Sequence, residues 1–293
     1  MTTVTAPVPA ASPPVLPSSP RAFADALGLA ALRGASLAEV DAAAALQHRT
    51  DRKYLLPLDG ARALVEALAA GHHVLDLAGR RTTSYHSAYF DTEALAAWRA
   101  HVQRRRRRWK VRTRLYAEDG LCRVEVKTKD GRGATVKHAR TVPADAYGRL
   151  GTGAAGFVDG VLGGAGVPVT AGLLVPAAEI RYVRAALADL EHGSRVTLDG
   201  LLTCHRGDRT AALDPGQVLV ETKGGARPAP ADRLLLRLGA RPVSLSKYVV
   251  GQALLTPGLP DNDVRRLARA HFVTSTGPAD ASASGSTERN PAA

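Results

Sequence analysis

Six basic residues stand on every second position of one segment: Arg104, Arg106, Arg108, Lys110, Arg112 and Arg114. Between them lie Arg105 and Arg107, then Trp109, Val111, Thr113 and Leu115. A period of two marks a β-strand with two unlike faces. One face is apolar and can be buried. The other is a row of fixed positive charge that no ordinary core accepts. Such a row is tolerable only beside a polyanion or in a wet cavity.

The same division recurs along the chain. Arg49 to Leu56 reads as a strand with Arg49, Asp51 and Lys53 on one face. Leu121 to Lys129 sets Arg123, Glu125, Lys127 and Lys129 against Cys122, Val124 and Val126. Arg195 to Leu202 sets Arg195, Thr197 and Asp199 against Val196 and Leu198, and Gln217 to Lys223 sets Glu221 and Lys223 against Val218 and Val220. Further strands are expected at Thr82 to Phe90, Ala134 to Val142 and Glu179 to Ala186. The turns Glu118-Asp119-Gly120 and Asp130-Gly131 fit hairpins. Helices are expected from Asp59, as its cap, to Ala70, and at Thr92 to Val102, Ala144 to Val161, Ala231 to Leu238 and Ser246 to Leu255. Strands of this kind are accommodated most economically in an α+β fold: an antiparallel β-barrel with a polar lumen, its apolar outside covered by helices. A wet tunnel lined by Arg and Lys with a few carboxylates is a receptacle for a highly charged anion.

Composition points the same way. The 293 residues carry a net charge of +12 and are 45% hydrophobic, enough for a sizeable core and a preference for anionic partners. Aromatic residues make up only 4%, which disfavours nucleic acid bound by base stacking. Cys122 and Cys204 are far apart and read as plain core residues. No segment reads as a membrane span or a secretory signal, so a cytoplasmic protein is the expectation. Residues 1–21 and 274–293 are rich in Pro, Ser, Thr and Ala and are expected to be disordered tails. Residues 22–45 read as a helical segment, 46–257 as the tunnel domain and 258–273 as a helical extension.

The motifs Arg49-Thr-Asp-Arg-Lys53-Tyr54, Tyr89-Phe-Asp-Thr92, Lys110-Val-Arg112-Thr-Arg114 and Val124-Glu-Val-Lys127 follow one another. Arg181-Tyr-Val-Arg184, Arg195-Val-Thr-Leu-Asp199, Val220-Glu-Thr-Lys223 and Ser246-Lys247-Tyr248 complete the series. Their order and spacing resemble the catalytic domain of the vacuolar transporter chaperone (VTC) family, within the CYTH-like triphosphate tunnel metalloenzymes. The resemblance covers about residues 45–256. It implies an eight-stranded antiparallel tunnel, ATP and polyphosphate as partners, and a divalent metal, Mn²⁺ or Mg²⁺. It implies transfer of the terminal phosphate of ATP to a growing polyphosphate chain. On that reading Arg112, Arg114, Lys127, Arg181, Arg195 and Lys247 are catalytic. Lys53, Arg49, Lys110, Arg184, Lys223 and Arg108 bind substrate, and Glu221 and Glu125 hold the metal. Asp199 joins Glu125 as a lumen carboxylate able to orient water.

Two departures stand out. Asp51 replaces the Glu frequent in the opening motif, and the run Arg104 to Arg108 is unusually basic. That run is expected to continue the tunnel wall and hold an outgoing chain. A triphosphatase cleaving inorganic or nucleoside triphosphate is the alternative activity, and a polyphosphate- or RNA-binding module is the non-enzymatic one. Taken singly, the basic strand reads as a solvated face and each Glu–Lys strand as an exposed ion pair. Asp91 reads as a helix cap. Tyr54, Tyr89 and Tyr248 read as packing residues. His72, His73, His101 and His205 lack metal-ligand spacing and read as surface residues. Oligomeric state is not legible in the sequence.

Overall fold

The computed structural model describes residues 16–43, 50–129, 135–225, 227–260, 262 and 264–277. Arg49, the Asp130-Gly131 turn and most of both tails lie outside these residues. The first elements are α1 (Pro20–Ala26), β1 (Gly34–Ala35), α2 (Leu37–Ala43), β2 (Thr50–Pro57), α3 (Leu58–Leu68) and β3 (His73–Leu75). Then come β4 (Thr83–Asp91), α4 (Ala96–Val102), β5 (Arg108–Tyr116), β6 (Leu121–Lys129), β7 (Thr135–Val142) and α5 (Thr152–Gly164). Next are β8 (Val175–Ala188), β9 (Arg195–Arg206), β10 (Arg209–Leu213) and β11 (Gln217–Gly224). Last are α6 (Pro230–Arg237), α7 (Lys247–Leu255), α8 (Arg265–His271) and β12 (Phe272–Thr276).

The strands form one large, almost wholly antiparallel sheet in the order β12-β10-β9-β8-β4-β5-β6-β7. β9 is a branch point. Its second half pairs with β10, and its first half pairs with β11, which in turn pairs with β2. β3 extends the sheet beside the end of β8, and β1 joins β3 in parallel.

This architecture corrects the expected closed eight-stranded barrel. Among the described residues β2 pairs only with β11 and β7 only with β6, so the sheet does not close. Two-faced strands are compatible with an open or a closed sheet, because alternation fixes the faces and not the final pairing. Here Val243 N–H donates to the Lys53 carbonyl at 2.7 Å, so the chain leading into α7 lies against β2. The strand β12 reaches Thr276, past the start of the expected C-terminal tail.

The apolar strand faces are covered from outside. Trp109, Val111, Val124 and Val126 pack with Val158 and Leu162 of α5. Tyr54, Leu56, Val196, Leu198, Val218 and Val220 pack with Phe23 of α1, Leu64 and Val65 of α3, and Leu235 of α6. A third core lies on the inner side, where Tyr89, Ile180, Leu202 and Leu219 meet Tyr248 and Val250 of α7. Gly251 lets α7 come close, since a Cβ there would sit 2.8 Å from Cys204 Sγ.

Asp59 does not cap α3. Its N-cap is Pro57, and the Asp59 carboxylate accepts only from its neighbour Gly60 N–H. Asp91 does serve α4. It is fully buried and accepts from Ala97 N–H at 2.8 Å, Trp98 N–H at 2.9 Å and Tyr248 O–H at 2.6 Å. One carboxylate thus fixes the start of α4 and ties it to α7. Asp91→Ala is expected to destabilise the fold by about 3 kcal/mol, because three buried donors lose a charged acceptor. The change is read as a lower denaturant midpoint at unchanged slope. A loss below about 1 kcal/mol would contradict this role.

Candidate active site

β5, β6 and β7 present their basic positions to the inner face. Residues directly opposite one another on paired strands share a face. The pairing sets Lys110 opposite Lys127, and Lys127 opposite Lys137. It also sets Arg108 opposite Lys129, and Arg114 opposite Arg123. The expected order of faces is therefore correct for this hairpin. Lys137 of β7 is an addition. Its position on the face depends on strand register, which its own sequence, alternating weakly, does not reveal.

Glu125 is the carboxylate among these cations. Arg112 Nη2 lies 2.5 Å from it, Lys137 Nζ 2.6 Å and Arg114 Nη1 3.9 Å. Burial raises its pKa, but Arg112, Arg114 and Lys137 outweigh burial and hold it well below the usual carboxylate range. Tyr89 O–H accepts from Arg112 at 2.6 Å.

A second group lies across the site. Asp199 on β9 is fully buried and accepts two bonds from Arg184 on β8, at 2.6 and 2.7 Å. Lys247, the first residue of α7, also donates to it. Glu221 on β11 lies 2.9 Å from Lys223 and 4.0 Å from Arg184. Burial opposes its charge, and Lys223, Lys53, Arg184 and Lys247 prevail, so it is held ionised. Tyr85 and Tyr182 stack at 5.1 Å between the two groups. Arg114 and Arg184 both lie against this pair, at 5.0 and 5.3 Å from the Tyr85 centroid. Stacking fixes the planes of both guanidinium groups.

Lysines form the third group. Lys53 on β2 donates to the Leu245 carbonyl at 2.6 Å, and Lys110 on β5 donates to Ser246 Oγ at 2.8 Å. Burial, then Lys53 and Lys127, push the Lys110 pKa well down. Burial also lowers Lys53, with Lys247 and Lys127 adding to it and Glu221 opposing. His101 of α4 belongs here and not on the surface. Burial, with Lys110, Arg108, Lys127 and Lys53, holds its pKa at about 2 and keeps it neutral. His72 is likewise buried. No spacing in the sequence marks His101, because α4 brings it to the lysines from another element.

The structure thus brings Arg108, Lys110, Arg112, Arg114, Glu125, Lys127, Lys53, Arg184, Glu221, Lys223 and Lys247 to one face. Three expected residues fare differently. Arg181 is on the opposite face of β8, half exposed and paired with Glu179 at 2.9 Å, because the neighbouring Tyr182 and Arg184 turn inward. Arg195 lies at the rim, where Nη2 donates to the Val40 carbonyl and meets Asp41 of α2. Arg49 lies outside the described residues. The run Arg104 to Arg107 does not extend the wall either. β5 begins at Arg108, Arg104 has a left-handed φ of 52°, and Arg107 reaches the Gly166 carbonyl.

Among the described residues no three His, Cys, Asp or Glu side chains converge as a metal cluster. Mg²⁺ and Mn²⁺ need fewer when a phosphate substrate supplies the remaining oxygens. Glu221 fits that demand, 14% exposed on the inner face, with Asp51 on the same face opposite Lys223. Glu125 fits it less well: its side chain is 3% exposed, and cations lie 2.5 and 2.6 Å from its two oxygens, against 2.9 and 4.0 Å at Glu221.

The family model described as the VTC domain matches residues 48–155. That match makes residues 48–155, about a third of the chain, similar to a VTC domain. No curated protein matches it significantly. Among solved structures, it is 20% identical to a Hippeastrum candidate adenylyl cyclase reported to have dominant triphosphatase activity. That alignment has a TM-score of 0.45 and covers 72% of this chain and 98% of the other. A candidate adenylate cyclase from Bacillus halodurans is 15% identical, at TM-score 0.45, over 67% and 92% of the two chains. One from Vibrio parahaemolyticus is 13% identical, at TM-score 0.41, over 70% and 98%. Among the described residues no helix is long and apolar enough to cross a membrane.

The buried Asp199 group gives a pH signature. Burial raises its pKa, but Arg184 and Lys247 bring it from 3.8 down to about 2. A depressed carboxyl stabilises the fold above its unfolded pKa, and the contribution fades as pH falls through the folded pKa. About 2 kcal/mol of stability is therefore expected to disappear between about pH 4 and pH 2. Asp199→Asn should be less stable at neutral pH and show a flatter acid limb. An acid limb unchanged in that variant would show that Asp199 is not the titrating group.

Proposed function

We propose that the protein is a phosphoryl-transfer enzyme acting on a linear triphosphate, inorganic or as a nucleotide. Its reaction on this reading is hydrolysis of the terminal phosphoryl group. One observation carries the proposal. The inner face of β5, β6 and β7 holds Arg108, Lys110, Arg112, Arg114, Arg123, Lys127, Lys129 and Lys137, with Glu125 the carboxylate there. Like charges directly opposite across strands destabilise a sheet unless an anion lies between them. The Nε donors of Arg108 and Arg123 on this face are also buried without an acceptor. A bound oxyanion would supply acceptors for them.

The chemistry suits these groups. Phosphoryl transfer needs positioning and charge neutralisation more than covalent catalysis. Arg112, Arg114 and Arg184, held by their carboxylates and by tyrosine rings, offer fixed forks to phosphate oxygens. Lys53, Lys110 and Lys127 offer point charges that can follow the chain. A divalent ion held by Glu221 and phosphate oxygens would add positive charge where negative charge builds up.

Hydrolysis suits the shape of the site better than chain growth. On the α7 side the inner face is filled by Tyr89, Ile180, Leu202, Leu219, Leu245 and Tyr248. A second phosphate chain in line on that side would need this apolar filling to move. Polyphosphate polymerisation is the second reading, and the VTC domain match favours it. The proposal includes a cytoplasmic location, as the sequence leads one to expect.

Incubation of the purified protein with inorganic triphosphate or ATP and Mn²⁺ or Mg²⁺ decides between these readings. Orthophosphate release without long chains is expected, with a loss of about 100-fold in Glu221→Ala. Long chains plus ADP would establish the polymerase instead. Bound triphosphate with no turnover under any metal would reduce the site to a binding module. A further outcome concerns pH: triphosphate affinity should fall at alkaline pH below the usual lysine range, because Lys110 and Lys53 lose their protons early. Affinity constant to pH 10 would remove these lysines from the binding site.

A further inference from the structure

We propose that the site admits long inorganic polyphosphate side-on, over the free edge of β7, so that no free chain end is required. The inference rests on the reading that phosphate chains are the ligand, and adds how a polymer reaches the site.

Three observations carry it. First, β7 and β2 are both terminal strands, and β7 is exposed from Thr135 to Thr141. Among the described residues nothing pairs with its free edge. Second, exposure increases towards that edge. Lys110 on β5 is half-buried, whereas Lys127 on β6 is exposed and the Lys137 side chain on β7 is 42% exposed. Third, the row Lys110–Lys127–Lys137 runs across the strands and not along them. It spans two strand spacings, about 10 Å, from the interior out to β7.

An anionic chain neutralising this row lies across the sheet and leaves over β7. A path parallel to the strands meets the apolar filling by Tyr89, Tyr248, Leu245 and Leu219 at the α7 end. Threading a polymer end-first along that axis would require this filling to move. Entry over β7 requires no such movement, and it lets an internal stretch of chain settle while both flanks remain in solvent. A flexible phosphate polymer suits a row of lysine point charges. RNA would add bases, and the exposed side chains of β7 (Val136, Lys137, His138, Arg140) include no Phe, Tyr or Trp on which they could stack.

The test uses the full chain with a fluorophore-labelled ATP as the probe of site occupancy. Inorganic triphosphate, free-ended polyphosphate, and the same polyphosphate blocked at both ends by biotin and streptavidin are the competitors. An unlabelled single-stranded RNA is a fourth. The blocked and free-ended chains should displace the probe with midpoints within about threefold of each other. A larger deficit for the blocked chain would show that an end must thread, and would overturn the inference. Displacement by triphosphate but by neither polymer would overturn it while leaving the proposed function standing. RNA displacing the probe more strongly than polyphosphate would also overturn it. Failure of triphosphate itself to displace the probe would remove both readings.

Discussion

The first turn of α7 is the contact on which the inner face depends. Four successive residues reach four strands. The Leu245 carbonyl accepts from Lys53 on β2, and Ser246 Oγ accepts from Lys110 on β5. Lys247 donates to Asp199 on β9, and Tyr248 donates to Asp91 at the end of β4. Lysines that repel one another are thus held apart by fixed acceptors, while the apolar remainder of the helix fills the end of the site. Ser246 also caps the helix by accepting from Val249 N–H. Without this insertion, Lys53 and Lys110 would lose the acceptors that fix their positions.

Charge is organised by burial along the same face. The carboxylates Glu125, Asp199 and Glu221 stay ionised because each meets at least two cations. Breaking one such pair leaves a buried unpaired charge, which is far more costly than the pair is stabilising. These groups therefore hold arginines in place more than they titrate. The lysine group has no comparable internal compensation. Its repulsion is a cost carried by the fold, which an anion on the inner face would offset.

Much of this was legible. The period of two in β5, β6, β9 and β11 gave the faces correctly, because side chains alternate whatever the sheet does next. The motif around Ser246-Lys247-Tyr248 was visible as a motif, but the four strands it joins were not. Arg181 and Arg184 looked alike in sequence. They fall on opposite faces because they stand three positions apart, an odd offset in the alternation. Lys137 could not be recognised without the register that sets it opposite Lys127. His101 read as a surface residue, since only the packing of α4 puts it beside Lys110.

The sequence by itself determined that several strands have one apolar face and one charged, largely cationic face, which an ordinary core does not accept. Hydrophobic periodicity and net charge are local properties, and no folding partner can reverse them. Tertiary structure alone decided that the sheet stays open between β2 and β7, that α7 fills one end, and that three lysines form a row leading to a free edge. These depend on which strands pair and in what register, and pairing is a long-range choice that a strand's own alternation leaves unspecified.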